Sequence, residues 1–134
     1  MNASGRFEVK TEPITSHAKG SDGVQLNRMS IEKTFEGDLE GVSTGEMLTA
    51  MTPIKGSAGY VAIEQVRGEL GGKTGSIVLQ HFGVMSAGNE RLILEVVPDS
   101  GTGELSNIRG QMSITNKEGE HLYDFEYHFG DTEV

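Results

Sequence analysis

Three copies of one short pattern divide this chain of 134 residues: Gly37-Asp38-Leu39-Glu40-Gly41 followed by Gly45, Gly68-Glu69-Leu70-Gly71-Gly72 followed by Gly75, and Gly103-Glu104-Leu105-Ser106-Asn107 followed by Gly110. Each copy stands where one apolar run ends and another begins. Gly and Asn there supply the positive φ angles that tight hairpins need. The pattern predicts corners between paired strands, with each Leu closing the end of the structure beneath its turn.

Short runs of alternating apolar residues connect these corners. A period of two is typical of strands with one buried face, and no sustained helical stripe is present. Two runs, around Phe7–Val9 and Val24–Phe35, precede six more: Val42–Ala50, Gly59–Val66, Ser76–Met85, Leu92–Val97, Gly110–Thr115 and Leu122–Phe129. About eight strands in a meander predict an all-β protein, a single closed antiparallel barrel over residues 1–134 in which every edge is paired.

The charge and composition exclude several function classes. The formal net charge is −9, from 20 acidic and 11 basic residues. Such a surface repels phosphate backbones and anionic lipids, which argues against nucleic-acid and membrane partners. There is no cysteine for disulfide or thiol chemistry, and no apolar run long enough to span a bilayer. The first residues lack the features of a signal peptide, so the sequence predicts a cytoplasmic protein.

In two of the runs, apolar residues occupy both the odd and the even positions, so both faces of the strand are apolar. Ser76–Met85 carries Ile77 and Leu79 on one set and Val78 and Phe82 on the other, and Leu92–Val97 behaves likewise. Strands that are buried on both faces need a cover outside the barrel. Because no helix is expected, a second copy of the chain is the simplest cover, and the sequence predicts a homo-oligomer.

Acidic and aromatic residues in the central runs are candidates for a site. Glu64 follows Tyr60 in one strongly apolar strand, and burial without partners would raise the pKa of its carboxyl and suit a general acid or base. Its alternation with Val61 and Ile63 favours instead a carboxylate that faces solvent. Glu46 is a further acid–base candidate, and Glu46 or His81 is a candidate partner for a buried tyrosine hydroxyl.

Gln80 and His81 are adjacent in the middle of the next strand. Neighbours on a strand face opposite sides, so one of the two points into the barrel, and the sequence leaves open which. An inward histidine transfers protons or hydrogen-bonds a ligand in many proteins. The alternative is a core histidine that is simply bonded to a neighbour.

The last strand carries a clean aromatic face. Tyr123, Phe125, Tyr127 and Phe129 share one set of alternating positions, and Asp124, Glu126 and His128 share the other. The aromatic face is expected to turn inward. It either lines a cavity for an apolar ligand or fills the barrel.

No signature of a metal, a cofactor or a nucleophile is present. The histidines, at 17, 81, 121 and 128, have no compact ligand spacing, so no metal site is predicted. The segment Gly101–Ser106 lacks the Gly-Lys-Ser/Thr ending of a phosphate-binding loop, and no serine sits in a Gly-x-Ser-x-Gly elbow. No cofactor is expected, and no catalytic residue is assigned.

Several segments together resemble a bacterial family catalogued as domain of unknown function 3224: Met29-Ser-Ile-Glu-Lys33-Thr-Phe35 with Gly37-Asp-Leu-Glu-Gly41 and Gly45-Glu46, Gly56-Ser-Ala-Gly-Tyr60-Val-Ala-Ile-Glu64, Gly75-Ser76 with Leu79-Gln-His81, and Val97–Leu105. The turns at Gly68–Gly75 and Gly101-Thr-Gly103 are similar to those of allene oxide cyclase and dirigent barrels. The resemblance implies an eight-stranded barrel, often oligomeric, with a central cavity for a small apolar molecule. It carries over no activity.

Three functions are compatible with these observations. The first is a barrel that binds a small apolar or amphipathic ligand in its interior. The second is a cofactor-free isomerase or cyclase-like enzyme that uses Glu46, Glu64 or His81. The third is an oligomeric structural or interaction module. The candidate cavity residues are Glu46, Tyr60, Glu64, Gln80, His81, Tyr123, Phe125 and Tyr127.

Overall fold

Each alternating run of the sequence forms a strand in the computed structural model, which describes residues 1–130. The strands are β1 (Asn2–Ile14), β2 (Gln25–Gly37), β3 (Leu39–Met51), β4 (Ala58–Leu70), β5 (Lys73–Ser86), β6 (Asn89–Val96), β7 (Ile108–Lys117) and β8 (Glu120–Phe129). Neighbours in sequence pair antiparallel, and β8 returns to pair with β1. The predicted closed barrel is confirmed. No helix within residues 1–130 is long and apolar enough to cross a membrane.

The repeated corners lie at one end of the barrel, which we call the closed end. At the second corner, Gly71 and Gly72 have φ angles of 55° and 84°, the sign that a tight two-residue hairpin requires at both positions. Leu39, Leu70 and Leu105 are each at most 2% exposed. The three leucines therefore fill the closed end beneath their turns, as the sequence predicts.

A loop completes the barrel wall beside β5. Residues 97–107 contain one 3₁₀ turn, Gly103–Leu105. The loop bonds to β5 through Thr102, whose N–H donates to the carbonyl of Ser76 at 2.9 Å, and through the hydroxyl of Ser100, which accepts the Val78 N–H at 3.0 Å. The loop thus takes over from β6 as the neighbour of β5 near the closed end.

Aromatic side chains fill the closed half. The inward face of β8 places Phe125 and Tyr123 in the core with Phe35, so these residues pack the barrel and do not line a cavity. The Tyr123 hydroxyl accepts the Leu39 N–H at 2.9 Å and donates to the Glu36 carbonyl at 2.9 Å. The expectation that Glu46 or His81 bonds a buried tyrosine is wrong for Tyr123, because backbone groups at the first corner satisfy its hydroxyl.

Replacing Tyr123 with phenylalanine is expected to lower the free energy of unfolding by about 1–3 kcal/mol, because the buried N–H of Leu39 loses its acceptor. The matched control is Tyr127→Phe on the same strand. We expect that substitution to change stability by less than about 0.5 kcal/mol. Urea unfolding followed by circular dichroism measures both changes. Equal effects would contradict a special role for the Tyr123 hydroxyl.

Candidate functional site in the open half of the barrel

Glu64 points into the barrel. The inward positions of β4 include Tyr60, Ala62 and Glu64, whereas Val61 and Ile63 face outward and are 48% and 55% exposed. Glu64 itself is 0% exposed. The interpretation that Glu64 faces solvent is therefore wrong, because the two branched apolar residues beside it lie on the outer surface.

Three polar side chains from three other strands surround the Glu64 carboxylate. Lys33 on β2 donates from Nζ to Oε2 at 2.8 Å, and Ser43 on β3 donates from its hydroxyl to Oε1 at 2.8 Å. Nε2 of His81 on β5 lies 2.5 Å from Oε2. Lys33, Ser43 and His81 are all buried. A buried charge is tolerated when it is paired and hydrogen-bonded, and this cluster meets both conditions.

A glycine in β3 allows the strand to approach the backbone of Glu64 closely. Gly45 faces the barrel interior directly opposite Glu64. A Cβ atom at position 45 would lie 2.6 Å from Cα and 2.7 Å from Cβ of Glu64. Only glycine therefore fits there without displacing the backbone of the strand that carries Glu64.

The cluster keeps Glu64 ionised. Burial on its own would raise the pKa of the carboxyl, but the hydrogen bond with His81 and the charge of Lys33 outweigh burial and lower the pKa from 4.5 to about 2. The carboxylate therefore acts as a fixed negative charge at neutral pH.

A cavity of about 340 Å³ opens above this cluster, at the end of the barrel away from the corners. Lys33 and His81 stand on its floor. The remaining lining residues are mostly apolar and come from all sides of the barrel: Phe7, Val9, Thr11, Ile31, Met47, Tyr60, Glu90, Leu92, Ile114, Asn116 and His121. The barrel is thus packed in its closed half and hollow in its open half.

Aromatic rings lie beside two of the polar groups. Nζ of Lys33 lies 4.7 Å from the ring centroid of Phe7, a cation–π distance. The ring of Tyr60 lies 6.4 Å from that of His81, centroid to centroid. Burial raises the pKa of the Tyr60 hydroxyl, and the carboxylates of Glu90 and Glu64 add to this effect, so Tyr60 presents a protonated hydroxyl.

The other candidates lie away from the cavity. Gln80 and Glu46 are exposed on the outside of the barrel, where Glu46 pairs with Arg28 at 2.5 Å. The structure thus places His81 inside and Gln80 outside. Tyr127 stacks on Phe125 at 5.2 Å, centroid to centroid, against the core. Of the eight candidates, Glu64, His81 and Tyr60 are brought together.

Sequence reasoning missed Lys33 and Ser43. Lys33 carried a signal, because it shares the inward set of β2 with Ile31 and Phe35. A lysine on a buried face implies an acidic partner. Ser43 carried none, since small polar residues are common on either face of a strand.

Comparisons with known proteins place the chain in a family. The profile of a family described as "Protein of unknown function (DUF3224)" matches residues 3–127. A crystal structure of a DUF3224 protein of unknown function from Shewanella oneidensis is similar, with 54% identity, 98% of each chain covered and a TM-score of 0.96. No curated protein matches. The relation to allene oxide cyclase and dirigent barrels stays a prediction. With nearly all of its length matched, this chain belongs to the DUF3224 family.

Proposed function

We propose that the protein binds one small amphipathic molecule in the open half of its barrel. The observation that carries this proposal is a cavity of about 340 Å³ with a mostly apolar wall and two buried polar side chains, Lys33 and His81, on its floor. Small-molecule sites typically have volumes of about 300–1,000 Å³ and combine apolar walls with a few convergent polar groups.

The lining sets the orientation of the ligand. An apolar body contacts the wall formed by Phe7, Ile31 and Leu92, and a polar group reaches Lys33 and His81 on the floor. A site with buried polar groups rejects analogues that lack a matching group, because those groups are left unpaired. Purely apolar ligands are therefore expected to bind more weakly than those with a carbonyl or hydroxyl.

Filling the cavity is expected to weaken binding of N-phenyl-1-naphthylamine, an uncharged probe whose fluorescence rises in apolar surroundings. Ile114 lines the cavity, so Ile114→Trp should weaken probe binding at least about tenfold by occupying the space. Thr115→Trp is the matched control, since Thr115 is exposed on the next position of the same strand. Fluorescence titration compares the two variants. Equal affinities would contradict a site inside the barrel.

The outer surface offers an alternative place for an apolar probe. Ile63 is 55% exposed there and lines an outer groove of about 670 Å³ with Leu48 and Phe82. The substitution Ile63→Gln should leave probe affinity unchanged if the probe binds in the barrel. A loss of affinity in this variant would place the probe outside and count against the proposal.

A separate observation favours self-association. Leu48, Val61, Phe82 and Ile93 lie directly opposite one another on β3, β4, β5 and β6 and form an unbroken outer row, each residue at least 40% exposed. We call it the outer apolar row. None of its four residues is charged, although the chain has a net charge of −9. Contiguous exposed apolar surfaces mark interaction sites, and no helix within residues 1–130 covers this one.

We propose that a second copy of this chain covers the outer apolar row. A two-fold axis that runs across the strands lays the row of one copy on the same row of the other. On β6, Arg91 and Glu95 lie on either side of Ile93 along the strand. The same axis therefore stacks the Arg91 of each copy on the Glu95 of the other, so the charges beside the row complement each other.

Light scattering after size-exclusion chromatography tests this interface. We expect a mass of twice the 14.4 kDa of one chain. Val61→Glu should halve that mass, because it puts two like charges into the apolar contact. Gln65→Glu adds the same charge to the exposed face of the same strand outside the row, and should leave the dimer intact. A wild-type mass of one chain would overturn the proposal.

A further inference from the structure

We propose that the open half of the barrel is catalytic: His81 moves a proton between two carbon atoms of a bound unsaturated ketone while Lys33 holds the ketone oxygen. The inference rests on the proposed function, since it requires a ligand in the same cavity. It assigns a reaction class, isomerisation without a cofactor, and a substrate class, an uncharged β,γ-unsaturated carbonyl compound.

The geometry fixes which nitrogen of His81 can act as a base. The ionised carboxylate of Glu64 can only accept hydrogen bonds, so the proton between the two groups belongs to Nε2 of His81. Lys33 already balances the carboxylate charge, so we take the imidazole as uncharged, which leaves the cluster electrically neutral. Nδ1 then carries a lone pair. None of the described side chains donates to Nδ1, and His81 lines the cavity.

Lys33 supplies the complementary group. An ammonium has three donors, and one of them goes to Oε2 of Glu64. Lys33 lines the same cavity floor as His81. It therefore donates to a ligand oxygen while the adjacent imidazole accepts from a neighbouring C–H. A donor and an acceptor side by side match the C=O and α-C–H of a ketone.

The charges select an uncharged substrate. Glu64 and Lys33 cancel each other, and Glu90 stands in the lining of the cavity. An anionic ligand would meet this carboxylate, and the charge of Lys33 is already balanced by Glu64. A ketone carries no charge until the proton leaves. The ammonium then stabilises the negative charge that develops on its oxygen.

The reaction balances within one molecule. Nδ1 of His81 takes the proton from the carbon between the C=O and the C=C. The C–H electron pair becomes part of a dienolate, whose oxygen accepts a hydrogen bond from Nζ of Lys33. The imidazolium then returns the proton to the γ-carbon, and the double bond moves into conjugation with the C=O. No oxidant, reductant or co-reactant is consumed, and His81 ends neutral.

The probe reaction is the conversion of cyclohex-3-enone to cyclohex-2-enone, followed by the rise in ultraviolet absorbance of the conjugated product. General-base catalysis is worth about 10²–10⁴-fold, so His81→Gln should lose at least about 100-fold in kcat/KM. His128→Gln on β8, which lies outside the cavity lining, should retain wild-type turnover. Turnover by the wild type no faster than by His81→Gln would overturn the proposal.

Displacement of bound N-phenyl-1-naphthylamine by cyclohex-3-enone measures binding of the ketone separately from its conversion. If cyclohex-3-enone displaces the probe but is not isomerised, proton transfer is excluded and ligand binding stands. If it neither displaces the bound probe nor reacts, the substrate class is wrong. If the probe itself does not bind in the barrel, the proposed function fails first.

Glu64 acts as a positioning residue, and its role has a spectroscopic readout. In the wild type, ¹⁵N NMR of the imidazole should show a protonated Nε2 and an unprotonated Nδ1 for His81. Glu64→Gln presents an amide that either donates or accepts, so the fixed tautomer should become a mixture and kcat should fall without a matching rise in KM. An unchanged His81 spectrum in a folded Glu64→Gln variant would contradict this role.

Discussion

Replacing Glu64 with methionine is expected to lower the free energy of unfolding by about 3–5 kcal/mol, the usual cost of removing one partner of a buried ion pair. The ammonium of Lys33, whose side chain is 6% exposed, would remain in the barrel without its counter-charge. Ser43 and His81 would lose their acceptor as well. Urea unfolding at pH 7 measures the change.

Removing both charges is expected to restore most of that stability. Lys33→Met combined with Glu64→Met leaves two unbranched apolar side chains in place of the pair, and such replacements are often neutral or better. Glu46→Met is the control for losing an acid alone. Its carboxylate pairs with Arg28 on the exposed outer wall, so we expect a loss of no more than about 1 kcal/mol. A double variant as unstable as Glu64→Met would show that the loss comes from packing and not from the unpaired charge.

The barrel was predictable because its determinants are local. Each corner needs positive φ angles and a leucine to close the end, and both requirements appear within five residues of sequence, as at Gly68–Gly72. Alternation then fixes the strands between corners. The exact strand ends were not predictable: β4 runs to Leu70, beyond the apolar run Gly59–Val66, because glycine and glutamate at positions 68 and 69 give no apolar signal.

The site was only partly predictable, because residues distant in sequence decide which face of β4 and β5 points into the barrel. Alternation identifies two sets of side chains but does not say which set is inside. In β4 the outward set carries two exposed apolar residues, Ile63 and Val61 of the outer apolar row, so hydrophobicity indicated the wrong inward face. The decisive partner of Glu64 is Lys33, which is 31 residues away in sequence. Gln80 and His81 could not be distinguished, since both sets of β5 are apolar.

Acidification is expected to remove roughly 3 kcal/mol of stability through Glu64 alone. The pKa of this carboxyl is 4.5 as an ordinary side chain and about 2 in the folded barrel, and each unit of difference is worth about 1.4 kcal/mol. A lowered pKa means that the unfolded chain takes up the proton first. The contribution is therefore complete above about pH 5, declines as the pH falls through 4.5, and is gone below about pH 2.

The variant that lacks both Lys33 and Glu64 charges isolates this contribution from that of the other acidic residues. Urea unfolding between pH 7 and pH 3 should show wild-type stability falling more steeply with acid than that of the double methionine variant. Carboxyl ¹³C NMR should show Glu64 still ionised at pH 3. Parallel stability curves, or a Glu64 carboxyl that titrates near 4.5, would mean that Lys33 and His81 merely offset the cost of burial and do not keep the carboxylate ionised in acid.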